Sequence, residues 1–152
     1  MTTYVDSSAL VAVYIPEQFS AGARVAVRAA GQLPFTALHQ LEVPNAFQLL
    51  VGRGLLTRDD ARAVHRQLRD DIDNQRLLPV SLDLDQVFAD AADLSLDHTA
   101  KLLTRSLDLL HVAAARGVGC SKFVSADDRQ LAVARATGLV TIDIKRRHRS
   151  KR

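Results

Sequence analysis

Phe123-Val124-Ser125-Ala126-Asp127-Asp128-Arg129-Gln130, continuing through a helix-length run to Thr137-Gly138 and then Leu139-Val140-Thr141-Ile142, decides the fold. A β-prone run is followed by a segment with acids at its head and glycine past its end, and then by a second β-prone run. That is a strand–helix–strand unit, whose strands lie parallel with the helix covering one sheet face. Toward the N-terminus the alternation recurs. Thr3 to Asp6 is a short strand, followed by a helix that Ser7 is placed to cap and that Pro16 stops. A second helix covers about 18–30, and Leu33 to Thr36 is the next strand. Residues 38–51 follow as a helix with Leu38, Leu41, Val43, Phe47 and Leu50 largely inward, and Pro44 predicts a break or kink just before it. Thr57 to Asp60 form a capping box opening a polar helix to about Gln75, and Leu77 to Val80 is a third strand. Residues 83–103 are helical with an interruption near Leu96 to Thr99, and a further helix runs from Ser106 to Arg116. The expected class is α/β, a mainly parallel sheet of about five strands with helices on both faces.

The chain has 152 residues, one domain of common size. Its 20 basic and 17 acidic residues give a net charge of +3 that conceals an asymmetry. Residues 145–152 carry six basic groups and no acid, leaving 14 basic against 17 acidic groups, a net −3, in residues 1–144. The expected organisation is therefore one folded domain over 1–144 and a basic tail over 145–152. The single cysteine, Cys120, excludes an internal disulfide framework and fits a reducing compartment. No apolar run approaches the roughly 20 residues of a membrane span, and the N-terminus lacks the pattern of a secretory signal. Those two features predict a cytoplasmic protein with no membrane partner.

In open parallel sheets ligands bind beyond the carboxyl ends of the strands, so polar residues at those ends carry the functional weight. Asp6 ends the first strand and Asp127 follows the fourth. Glu42 lies in a largely apolar helical stretch, and Asp108 in Ser106-Leu107-Asp108-Leu109-Leu110-His111-Val112-Ala113, a helix apolar enough to be buried on most sides. Burying a carboxylate is costly unless it is paired or holds a metal. If the four converge, their mutual repulsion is relieved by a hard divalent cation, and oxygen-only ligands favour Mg²⁺ or Mn²⁺ over zinc. Such a site suits phosphodiester hydrolysis.

The local motifs resemble those of PIN-domain ribonucleases, and among them the VapC-type toxins of prokaryotic toxin–antitoxin pairs. The matching stretches are Val5-Asp6-Ser7-Ser8, then Phe35-Thr36-Ala37-Leu38-His39-Gln40-Leu41-Glu42, then Leu107-Asp108-Leu109-Leu110-His111-Val112-Ala113, and Phe123 to Arg129, in that order from residue 3 to about 142. The resemblance implies a three-layer αβα fold and a metal-dependent endoribonuclease. Asp6, Glu42, Asp108 and Asp127 would be both the catalytic and the Mg²⁺- or Mn²⁺-binding acids. Ser125 stands where the family often has Thr, and its hydroxyl would position a carboxylate or water; Ser8 would do the same beside Asp6. Asp127 is preferred to the adjacent Asp128 for its two-residue offset from Ser125. The implied partners are RNA, a VapB-type antitoxin covering the acidic pocket, and a second copy of the chain.

Each residue also has a plainer reading. Asp6 and Asp127 could serve as helix-terminal acids, and Glu42 could pair with an arginine. His111, three residues after Asp108, reads as a hydrogen-bonded packing histidine ahead of a general base. Asp83 and Asp85 read as acids at a helix start, and His39, His65, His98 and His148 show no metal-ligand spacing. Arg129 is placed either to contact a phosphate or to pair with Asp128. Lys145, Arg146 and Arg147 are placed to attract RNA, with a solvated tail the equal alternative. With 5% aromatic residues, extensive base stacking is not the source of RNA selectivity. Asp6-Ser7-Ser8-Ala9 lacks the glycines of a phosphate-binding turn, and Ser8 replaces the second acid of an aspartyl-phosphate phosphatase. The competing function is a PIN-like RNA-binding or protein-interaction module with little or no nuclease activity.

Overall fold

The computed structural model describes residues 1–146. Its strands are β1 (Thr3–Val5), β2 (Leu33–Phe35), β3 (Leu77–Pro79), β4 (Lys122–Ser125) and β5 (Val140–Asp143). Between them run α1 (Ser7–Tyr14), α2 (Ser20–Ala30), α3 (Ala37–Gly52), α4 (Arg58–Asp73), α5 (Leu84–Leu94), the short α6 (Ala100–Leu102), α7 (Ser106–Gly117) and α8 (Asp128–Ala136). The interruption expected near Leu96 is a π-helical turn, Ser95–Thr99, between α5 and α6. After α8 the chain turns at Gly138, whose φ of 91° admits glycine far more readily than any residue with a Cβ.

Alternation of side chains along the strands builds the layers. Tyr4 of β1 and Phe123 of β4 face a core shared with α5, α7 and α8, including Val87, Leu109, Val112 and Val133. Their neighbours Val5 and Val124 face the opposite core, with Leu10 of α1, Ala23 of α2, Phe47 of α3 and Leu68 of α4. Each core buries the apolar stripe of its helices against one sheet face, the main source of stability at this size. The result is the expected three-layer αβα domain.

All five expected strands are present and every pairing is parallel, but the ladder is divided. β1, β4 and β5 form one sheet in the order β1-β4-β5, and β2 pairs with β3 in another. The Asp6 N–H bonds the Val124 carbonyl, so strand alternation turns the Val5 carbonyl toward the edge of β1 beside β2. There His39 supplies the missing donor: its Nε2–H reaches the Val5 carbonyl at 2.7 Å, while Nδ1 accepts the Thr36 N–H at 3.0 Å. An imidazole thus ties together the ends of β1 and β2. Its ring is fully buried against Tyr4 and Phe35, and burial, with repulsion from His111, lowers its pKa to about 4. His39→Ala leaves two buried backbone groups unsatisfied and opens a cavity, so it should cost about 3–5 kcal/mol. Urea unfolding at pH 7 measures this; a loss below about 1 kcal/mol would contradict the bridging role.

Two local expectations are corrected. α3 runs unbroken through Pro44. The carbonyl that loses its donor belongs to Gln40, whose exposed position lets water satisfy it. Leu41, expected inward, is 72% exposed. The buried stripe of α3 is His39, Val43 and Phe47 at four-residue spacing, which puts Leu41 on the other side of the helix.

Candidate active site

The carboxyl ends of β1 and β4 and the starts of α1, α7 and α8 surround a cleft of ≈ 400 Å³. All four acids singled out in the sequence line it, together with Ser7, Ser8, Arg105, Leu107, His111 and Gln130. Folding thus brings together carboxylates separated by as many as 121 positions.

Asp6 is the N-cap of α1, the place expected for Ser7. Its Oδ1 accepts the Ala9 N–H at 2.7 Å and its Oδ2 accepts the Ser125 hydroxyl at 2.7 Å. Burial pushes its carboxyl up to about 6 despite these two bonds, with His111 opposing the rise and Asp127 adding to it. Ser125 is fully buried, and its Oγ also accepts the Asp127 N–H at 2.9 Å. One hydroxyl therefore fixes the relative positions of two acids. Ser8, expected beside Asp6, lines the cleft but makes no side-chain hydrogen bond among the described residues. Its neighbour Ser7 does, donating to Glu42 Oε1 at 2.9 Å.

Glu42 is held by a buried relay. His111 Nε2 reaches Glu42 Oε1 at 2.5 Å, and its Nδ1 lies 2.7 Å from the Tyr4 hydroxyl. Burial alone would raise the Glu42 pKa, but the His111 hydrogen bond and charge, with Ser7, outweigh it and hold the carboxyl below its ordinary value. One ring nitrogen partners the carboxylate and the other the Tyr4 hydroxyl, which fixes the ring between them. His111 is thus both a hydrogen-bonded packing residue and part of the cleft wall.

Asp108 is 4% exposed in the first turn of α7. Asp127 is the N-cap of α8, its Oδ1 accepting the N–H groups of Arg129 and Gln130. The capping role and the cleft position coexist because the two oxygens divide the work: Oδ2 faces Arg105 at 3.0 Å. The adjacent Asp128 points elsewhere, 85% exposed and bonded to Lys145, which holds its carboxyl below its usual range. Lys145 also donates to the Ala126 carbonyl, and Arg146 lies 3.7 Å from Asp143. Arg129 is exposed and, among the described residues, pairs with neither Asp128 nor another acid. Arg147 lies outside the described residues.

Arg105 and Gln130 are cleft residues that the sequence reading passed over. Arg105 Nε and Nη2 bond both oxygens of Asp108, and Nη2 bonds Asp127 as well. Gln130 is 3% exposed, with Nε2 3.5 Å from Asp108 Oδ1. The available signals were the three-residue spacings Arg105–Asp108 and Asp127–Gln130, which share a helix face at a helix start.

Among the described residues, no group of three or more His, Cys, Asp and Glu side chains is arranged to hold a metal ion as it lies. The donor chemistry nevertheless fits a hard divalent cation. Four carboxylates line one cleft, Asp6 resists ionisation there, and the buried Gln130 Oε1 has no hydrogen-bond partner among the described residues. Asp108 and Asp127 are already drawn to a cation, the Arg105 guanidinium.

A parallel three-layer αβα domain with clustered acids at its strand ends defines a class of acidic-site α/β proteins. The chain belongs to the PIN domain family, whose model matches residues 3–136. PIN domains are generally nucleases that use divalent metal ions. The fold is similar to that in the crystal structure of FitAcB from Neisseria gonorrhoeae, with a TM-score of 0.65 at 14% identity over 94% of this chain and 98% of that one. No curated protein sequence matches significantly. Among the described residues, no helix is long and apolar enough to cross a membrane.

Proposed function

We propose that this PIN domain is a Mg²⁺- or Mn²⁺-dependent endoribonuclease, acting as the VapC-type toxin of a toxin–antitoxin pair. The observation that carries the reading is the meeting of Asp6, Glu42, Asp108 and Asp127 in one cleft at the carboxyl ends of parallel strands. These four would hold the cation. When bound, it supplies water activation and neutralises charge on the phosphoryl oxygens. The chain's own contribution is placement. Ser125 and the Ala9 N–H fix Asp6, Ser7 and His111 fix Glu42, and the first turn of α8 fixes Asp127. Ser8, at the cleft wall, would position a carboxylate or water beside Asp6. Arg129, Lys145, Arg146 and Arg147 would attract the RNA backbone independent of its sequence.

The proposed protein partners are a VapB-type antitoxin seated over the cleft and a second copy of this chain. Leu41, Leu96 and Leu103, exposed by 72%, 85% and 69%, supply apolar surface suited to such contacts. A cytoplasmic location follows from an RNA substrate.

The test is direct. Purified protein incubated with total RNA should cleave it when Mg²⁺ or Mn²⁺ is added, stop on chelation and resume on metal add-back. RNA left intact by a folded protein with saturating metal would leave the non-catalytic RNA-binding module as the better reading.

A further inference from the structure

Arg105 poses a question that the proposed metal site does not answer. Its backbone N–H and Nε both donate to Asp108 Oδ2 at 3.1 Å, and its Nη2 reaches Asp108 Oδ1 at 3.3 Å and Asp127 Oδ2 at 3.0 Å. Asp127 Oδ1 is committed to the backbone of α8, so Oδ2 is the oxygen it can offer into the cleft, and Arg105 has it. A guanidinium in a planar fork hydrogen-bonds two carboxylates at once, with half the charge of a divalent cation.

We propose that Arg105 is a resident counter-ion of Asp108 and Asp127 and competes with a divalent cation for those carboxylates. The proposal rests on the metal-site reading above. Without a counter-charge, Asp108, 6% exposed at its side chain, would sit beside Asp127 as an uncompensated pair of negative charges. Arg105 offsets part of that repulsion. Its side chain is itself 64% exposed, so it can leave the carboxylates for water with little desolvation to reverse. One positive charge offsets half the charge of these two carboxylates, and a divalent cation binding them would have to displace the Arg105 side chain.

Mn²⁺ binding to the full chain, measured by calorimetry without RNA, tests this. Arg105→Gln should bind Mn²⁺ about fivefold more tightly than wild type, the factor expected when partly exposed ion pairs no longer compete. Arg105→Lys, a point charge without the fork, should fall between them. In chelator the melting temperature of Arg105→Gln should be lower than wild type, and Mn²⁺ should raise it by more. In wild type, the Arg105 Nε–H resonance should move toward its solvent-exposed position as Mg²⁺ is titrated. Wild-type binding that Asp108→Asn abolishes but Arg105→Gln leaves unchanged or weakens would overturn the competition and leave the metal site standing. Absence of Mn²⁺ binding in every folded variant would overturn both. If Arg105→Gln fails to fold, Arg105→Lys and the wild-type resonance decide the matter, an unmoved resonance counting against the proposal.

Discussion

Asp108→Asn is expected to lower metal-dependent RNA cleavage at least 100-fold while the protein stays folded. The carboxylate is among the most buried of the four acids and sits in the first turn of an otherwise apolar helix. As a cation ligand it would supply a formal charge that an amide lacks. Removing even an outer partner of such a ligand typically costs about 10–100-fold, so losing the ligand itself should cost more. The fold should tolerate the exchange, because asparagine keeps the shape and an oxygen for the Arg105 N–H. The Arg105 ion pair is lost, a cost of about 1 kcal/mol for a partner so exposed. Single-turnover cleavage of labelled RNA at saturating Mn²⁺, with circular dichroism melting as the folding control, measures both. Asp127→Asn should resemble Asp108→Asn, whereas Asp128→Asn should stay within about twofold of wild type, since Asp128 faces Lys145 outside the cleft. Equal cleavage by wild type and Asp108→Asn would remove the nuclease reading.

How much of this was legible in the sequence depends on the range of the interaction concerned. The order of strands and helices was readable because hydrophobic periodicity and glycine or proline stops are local. The four acids were readable because each sits at an element end or in an apolar helix where a charge is conspicuous. What escaped depended on neighbours far along the chain. Nothing local says that His39 bridges to Val5, 34 residues away, where the ladder is divided into two sheets. Pro44 breaks helices on average, but here the orphaned carbonyl faces water. Ser7 and Asp6 are both good caps; Asp6 takes the role while Ser7 is drawn to Glu42, 35 positions on. Arg105 was visible at i−3 from Asp108, yet its reach to Asp127 required the fold.

The stability of the metal-free protein should depend little on pH between about 5 and 6, above the range where the depressed Glu42 carboxyl adds its own slope, and Asp6→Asn should unmask a steep dependence. Two buried groups act in opposite directions there. Asp6 ionises at about 6 when folded and near 3.8 when unfolded, so in that window the folded chain keeps a proton that the unfolded chain has released. Its contribution is full below about 3.8 and is lost as pH rises through 6, a cost of about 3 kcal/mol at pH 7. His39 titrates at about 4 when folded and near 6.5 when unfolded, so the unfolded chain takes up the proton first as pH falls. Its contribution is full above 6.5 and is lost as pH falls through 4, again by about 3 kcal/mol. The slopes nearly cancel in wild type. Asp6→Asn removes the first: asparagine still accepts the Ala9 N–H, and the Ser125 hydroxyl can turn to accept from the amide. The variant should therefore be more stable than wild type at pH 7 by up to about 3 kcal/mol, with the difference vanishing toward pH 4. His111, which faces both Asp6 and His39, and the nearby Asp127 and Glu42 remain in both proteins, so the difference curve isolates Asp6. Urea unfolding in chelator across pH 4–7 gives that curve. A difference that stays constant over the range would show that Asp6 ionises at its ordinary value and that burial does not restrain it.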